Sequence, residues 1–352
     1  MKARWGVAAL FFALPVLIPA AWAQLAPSPD EAPVSTAPAA APEDEQPMAT
    51  LKLTVNLVDV VFNVKDKSGG LVPHLTRDDC TISEDKVPQT LKNFVEESHL
   101  PLTLGILLDT SYSQRRVLQL EQDAGSQFLE RVIKQKDEAF LLGVDVNVDL
   151  LQDLTSNPRL LSRALYKAEI NTAGGNGASG MPGAGGGTIP TPGGPRGTVL
   201  YDAVDQASRD KMNQETGRKA LIMLTDGEDQ GSRVKLDQAI ESAQKANVIV
   251  YVILIADVHS YLEQGMSYTG YSPMKKMTEE TGGRLIDVGN NGKKLEAAFA
   301  QIEAELRSQY LASYRPSNTK VDGSFRKLAV ECRGDGLKVQ VRKGYYAIGS
   351  AE

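Results

Sequence analysis

The sequence predicts an α/β protein in which a doubly wound, mainly parallel sheet is inserted into a small β-sandwich built by both ends of the chain. Three observations point there. Between residues 101 and 306, continuous apolar runs (102–108, 220–224, 248–255) alternate with segments whose apolar residues recur at helical spacing. Strands buried on both faces read as unbroken apolar runs, and strand–helix alternation implies crossover connections in a largely parallel sheet. On either side, residues 51–98 and 308–352 show strand patterning and turn residues without a helical period. Each flank has too few strands to stand alone, so the two are expected to pair.

Taken in order, residues 1–23 carry Lys2 and Arg4, an apolar run from Trp5 to Ile18, and Ala21-Trp22-Ala23 before Gln24. That layout predicts a signal peptide cleaved near Ala23-Gln24 and export to the periplasm or beyond. The run is too short for a span and Pro15 interrupts it, so the mature chain is expected to carry no transmembrane segment. Residues 24–50 hold six Pro and seven Ala with five acidic residues and no basic one, the composition of an acidic, flexible linker. The N-terminal β part, 51–98, offers strands at 51–64, around Cys80 and Ile82, and at 87–94.

The central segment, 99–307, then reads as strand 102–108, helix 117–132, strand 139–144 and an edge strand through Val146, Val148 and Leu150. A helix at 199–212, strand 220–224, helix 236–246, strand 248–255, helix 274–280, strand 284–288 and helix 295–306 complete it. Residues 174–197, with 11 Gly and four Pro among 24 positions, interrupt this pattern as a Gly-rich surface loop or lid. The C-terminal β part, 308–352, offers strands at 310–314, 325–332 and 337–346. Cys80 and Cys332 both face inward on their strands, either as a disulfide or as two buried free thiols.

Charge and composition narrow the function. Basic residues number 38 against 44 acidic, a net charge of −6, so no nucleic-acid partner is expected. Two cysteines and three histidines exclude a zinc finger or ribbon. In open α/β sheets, ligands bind outside the carboxyl ends of the strands. There the chain places Asp109-Thr110-Ser111-Tyr112-Ser113, Gly197-Thr198 and Thr225-Asp226-Gly227-Glu228-Asp229. Asp109, Ser111, Ser113, Thr198 and Asp226 are all oxygen donors, a set suited to Mg²⁺, with Mn²⁺ or Ca²⁺ as rivals. Neutral hydroxyls leave such a cation short of negative charge, so an incoming carboxylate can complete it. Serines capping the helix after the first strand offer a simpler reading, but it leaves Thr198 and Asp226 unexplained.

These motifs resemble the metal-ion-dependent adhesion site (MIDAS) of von Willebrand factor A (VWA) domains, whose sheet is Rossmann-like. Further stretches are Gly197-Thr198-Val199-Leu200-Tyr201-Asp202-Ala203, Gly217-Arg218-Lys219-Ala220-Leu221, Gly282-Gly283-Arg284 and Arg342-Lys343-Gly344-Tyr345-Tyr346. With them, residues 52–347 resemble the VWFA-related proteins described from acidobacteria. The resemblance implies a secreted protein-binding module whose metal bridges to a partner's Asp or Glu, the partner itself unidentified. Tyr112 stands where such proteins often carry Gly, which puts a ring beside the metal. Thr188 competes with Thr198 as the threonine donor, but the Leu-Tyr-Asp-Ala sequence follows Thr198. Glu228 and Asp229 are expected to be solvated loop charges.

Enzyme classes fit poorly. No phosphate-cradling Gly-x-x-x-x-Gly-Lys-Ser/Thr loop occurs, Gly177-Ala178-Ser179-Gly180 falls short of a nucleophile elbow, and His74, His99 and His259 lie apart. The expectation is an adhesion-type binding module that is not an enzyme. A structural envelope scaffold whose metal site is dispensable is the alternative, and a metal-dependent hydrolase stands behind it.

Overall fold

The computed structural model describes residues 57–97, 100–171, 197–256 and 267–349. The expected signal peptide, the acidic linker and all of the Gly-rich loop but Gly197, with Thr188, lie outside the described residues.

The central sheet has six strands. β5 (Leu102–Asp109) and β8 (Arg218–Thr225) are buried at every position, and β9 (Val248–Leu254) at all but one. β6 (Glu138–Val144), β7 (Val148–Thr155) and β10 (Leu285–Asp287) complete the order β10-β9-β8-β5-β6-β7. All neighbours run parallel except β7, the antiparallel edge. Continuous apolar runs are required here because helices cover both faces. On one face lie α1 (Leu118–Val132), α2 (Pro158–Lys167) and α6 (Gly292–Arg307), with Phe128 stacked on Phe299. On the other lie α3 (Leu200–Gln206), α4 (Leu236–Lys245) and α5 (Tyr271–Thr281).

Two elements depart from the expected pattern. α2 was not expected, although Asn157 caps it through the Arg159 N–H and Pro158 opens it, a legible start signal. The helix predicted over 199–212 is α-helical only in α3 and then loosens into a π-turn, Ala207–Lys211.

The flanks interleave into two four-stranded sheets. One orders β13 (Lys338–Val341), β1 (Val58–Lys65), β11 (Gln309–Tyr314) and β4 (Leu91–Glu97). The other orders β14 (Gly344–Tyr346), β12 (Phe325–Cys332), β2 (Cys80–Glu84) and β3 (Val87–Gln89). Phe62, Ile82, Tyr310, Tyr314 and Val330 fill the space between them. The single strands expected at 87–94 and 337–346 are each two, because the chain crosses between sheets at Thr90 and at Arg342-Lys343. At the second crossing the backbones nearly touch: a Cβ on Gly344 would lie 2.3 Å from the Arg326 carbonyl oxygen. Glu305, on α6 and 1% exposed, locks the sandwich to the α/β body by accepting from Lys65, Arg284 and Gln340.

Cys80 and Cys332 face each other across β2 and β12 and are joined in a disulfide, 252 residues apart in sequence. The bridge ties the two ends of the chain together inside the sandwich. Replacing both by Ser is expected to cost about 2–5 kcal/mol of unfolding free energy. Denaturant titration of the two proteins checks this, and coincident curves would contradict it.

Candidate functional site

The strand order places the topological switch between β5 and β8, whose onward connections run in opposite directions, and in open α/β sheets ligands bind outside the carboxyl ends at that point. Asp109 is the last residue of β5 and Asp226 follows the last residue of β8. Asp109 is 1% exposed; one carboxylate oxygen accepts the Ser111 N–H at 3.0 Å and the other the Thr225 hydroxyl at 2.6 Å. The side chain is thereby fixed between its own loop and the neighbouring strand. Thr225 Oγ1 also accepts the Gly227 N–H at 3.0 Å, and an Asp226 oxygen accepts from Glu228 N–H at 3.1 Å. Gly227 turns the chain here at φ 83°, in the left-handed region glycine favours.

Ser111 opens the short 3₁₀ turn Tyr112–Arg116, yet its side chain makes no cap hydrogen bond. Its hydroxyl instead meets that of Ser113 at 2.9 Å. The helix-capping reading of the two serines is thus set aside. Thr198, 6% exposed, sits just before α3, and its carbonyl accepts the Gln230 N–H of the loop beyond Asp226 at 3.0 Å. The next residue, Val199, donates to the Asp145 carbonyl after β6. The five expected donors therefore lie on segments that meet along one rim: Asp109 with Ser111, Ser111 with Ser113, and Thr198 with the Asp226 loop.

Glu228 and Asp229 are not the solvated charges expected. Glu228 accepts from the backbone N–H groups of Thr269 and Gly270, and Asp229 accepts from Tyr201 N–H at the start of α3 and from the Ser232 hydroxyl in the loop ahead of α4. Tyr112 is exposed, with the Arg115 guanidinium 4.2 Å above its ring.

Electrostatics distinguish this rim from the rest of the molecule. Burial, with Asp226 close by, pushes the Asp109 carboxyl up to about 7 against the pull of Ser111 and Thr225. Glu121, a fully buried residue of α1, is driven well above the carboxylate range by burial and then by Asp109 and Asp226. Both Glu121 oxygens and the Gln114 side-chain oxygen are buried without a hydrogen-bond partner. Elsewhere, buried Glu84, Asp137 and Glu305 pair with Arg326, Arg307 and Lys65 plus Arg284. Among the described residues neither Asp109 nor Glu121 has such a partner. Glu121 escaped the sequence analysis, though it falls on the apolar stripe of α1 between Val117 and Ala124, where a carboxylate is out of place.

Three neutral hydroxyls, two fixed carboxylates and orphaned oxygens nearby fit a hard divalent cation, which prefers oxygen and would supply the missing positive charge. Among the described residues no three His, Cys, Asp or Glu side chains group closely enough to hold a metal by themselves.

No family model matches the chain, and no curated protein matches it. Similar solved structures include a von Willebrand factor type A protein from Catenulispora acidiphila, 10% identical, covering 83% of this chain and 73% of that one at TM-score 0.45. BatB from Bacteroides thetaiotaomicron is 16% identical over 59% of this chain and all of its own, at TM-score 0.43. Proximal thread matrix protein 1 from the mussel byssus, with a zinc-occupied MIDAS motif, is 14% identical over 63% of this chain and 49% of its own, also at 0.43. Among the described residues no helix is long and apolar enough to cross a membrane.

A carboxyl whose pKa is higher folded than unfolded stabilises fully below its unfolded value, here 3.8, and loses that contribution as pH rises through about 7. In EDTA, the melting temperature of the parent relative to Asp109→Asn is therefore expected to fall between pH 4 and 7. Thermal melts across that range check it; a constant difference would contradict it.

Proposed function

We propose that this chain is an exported protein-interaction module of von Willebrand factor A type, akin to the acidobacterial VWFA-related proteins, that grips a partner's Asp or Glu through a divalent cation. It is proposed to act by binding and not as an enzyme. The observation that carries this reading is the pair of buried carboxyls, Asp109 and Glu121, which among the described residues have no cationic partner at the switch point, whereas buried Glu84, Asp137 and Glu305 are ion-paired.

In this reading Ser111, Ser113 and Thr198 offer hydroxyl ligands to Mg²⁺, or to Mn²⁺ or Ca²⁺. Asp109 and Asp226 hold those hydroxyls and bound water from behind. A bound cation supplies positive charge that these neutral donors leave largely unspent, and so attracts an external carboxylate. Tyr112 and Arg115, stacked on the open side of the rim, add an aromatic face and a second cation that favour an acidic partner. The layout of residues 1–23 supports export to the periplasm or outside the cell.

Calorimetric titration of Mg²⁺ and Mn²⁺ tests the reading. Saturable binding is expected in the parent, about tenfold to a hundredfold weaker in Ser111→Ala and Asp109→Ala. Equal heats in all three proteins would leave a scaffold with no functional metal site.

A further inference from the structure

At the opposite end of the central sheet, the sandwich and the α/β body flank an open cavity of about 680 Å³. Lys219, the second residue of β8, reaches it from the amino end of that strand. Asp226 lies beyond the carboxyl end, about 23 Å away at 3.3 Å per residue. The cavity is therefore separate from the metal rim. Six cations line it: Lys219, Lys245, Arg315, Lys320, Arg326 and Arg342; Asp59 is the one carboxylate among the described lining residues. This concentration occurs in a chain whose net charge is −6.

Two of the six are neutralised, Arg326 by Glu84 at 3.0 Å and Lys245 by Glu241 at 2.6 Å. The other four have no carboxylate within ion-pair distance among the described residues. Lys219, 8% exposed, donates only to the Met212 and Glu215 carbonyls, each at 3.1 Å. Arg342 donates to the Asn247 amide oxygen and the Asp59 carbonyl, and its Nε is buried without an acceptor. Burial lowers the Lys219 pKa, and the nearby Arg342 charge lowers it further, against the opposing pull of Glu215. Glu215 lines an adjoining cavity of about 400 Å³ that shares Lys219, Asn247 and Arg342. Partly buried cations held only by carbonyls are under-compensated, as the rim carboxylates are, but with the opposite sign.

We propose that this cavity binds a small polyanion, a molecule bearing at least two phosphate or carboxylate groups, with Arg342 and Lys219 at its floor and Arg315 and Lys320 at its mouth. The volume suits a small molecule. The Tyr346 ring, with the Lys245 ammonium 5.1 Å from its centre, and the Tyr345 ring beside Arg342 form an aromatic wall. The Arg342-to-Tyr346 motif, which the metal rim does not use, thus has two tasks: it carries the chain between the two sandwich sheets and lines an anion site.

Calorimetry of the full chain, freed of metal and exchanged into chelator-free buffer, with pyrophosphate and with citrate at matched ionic strength, tests this. One-to-one saturable binding of at least one probe is expected, weakened at least about tenfold in Arg342→Gln and unchanged in Asp109→Ala. Tighter pyrophosphate binding assigns phosphate groups to the ligand and tighter citrate binding carboxylates. Because Arg342 also braces the fold, the exposed pair Arg315→Gln/Lys320→Gln provides a second variant, expected to bind several-fold more weakly with an unaltered melt. No saturable heat from either probe in the millimolar range, or parent-like binding in both variants, would overturn the proposal.

Discussion

The architecture of the functional rim rests on one side chain, the Asp109 carboxylate, held between its own loop and the neighbouring strand. Its bond to Thr225 spans the two strands where the sheet reverses direction, and its bond to Ser111 bends the following loop so that two hydroxyls meet. Keeping that carboxylate dry beside Asp226 and Glu121 is unfavourable by itself, since burial disfavours charge and like charges compound the effect. The same molecule shows how it treats buried acids that are purely structural: Glu305 collects a lysine and an arginine, Glu84 an arginine, Asp137 another. The rim was given hydroxyls instead. That contrast is the ground for the proposed cation site.

The sandwich supplies the other half of the design. Both chain ends contribute strands to both sheets, so the α/β body leaves and re-enters a single support. The disulfide and the Glu305 cluster fasten that support from within and from below. The candidate rim at the carboxyl end of the sheet and the sandwich at its amino end thereby stand at opposite ends of the same buried strands. A rigid sheet between them keeps the rim loops in register.

Much of this was legible in the sequence, for identifiable reasons. Strands such as β8 and β9 announce themselves because burial on both faces leaves runs, 220–224 and 248–254, unbroken by any charged residue. The candidate rim residues stand out only as a set: alternate serines after a strand-ending Asp can be read as helix caps, but Thr198 and Asp226 at two later strand–helix junctions cannot. The pairing of the two flanks followed from their insufficiency alone. What escaped was set by tertiary contacts: Thr90 and Arg342-Lys343 look like strand interior, and only the second sheet shows that the chain turns there. Glu228 and Asp229 look solvated until Thr269, Gly270 and Tyr201 bring backbone donors from distant segments. Glu121 could have been noticed as a lone acid on an apolar stripe, but its meaning depends on the two aspartates the fold brings near it.

The central claim, that the rim between β5 and β8 is a cation site built on hydroxyls, is tested most directly by diffraction from crystals soaked in Mn²⁺. The account predicts an anomalous peak bonded to the Ser111 and Ser113 hydroxyls, beside Thr198 and Asp226, and its disappearance in Ser111→Ala crystals. A well-ordered rim in which Ser111 and Ser113 remain bonded to each other, with manganese bound elsewhere or nowhere, would contradict it.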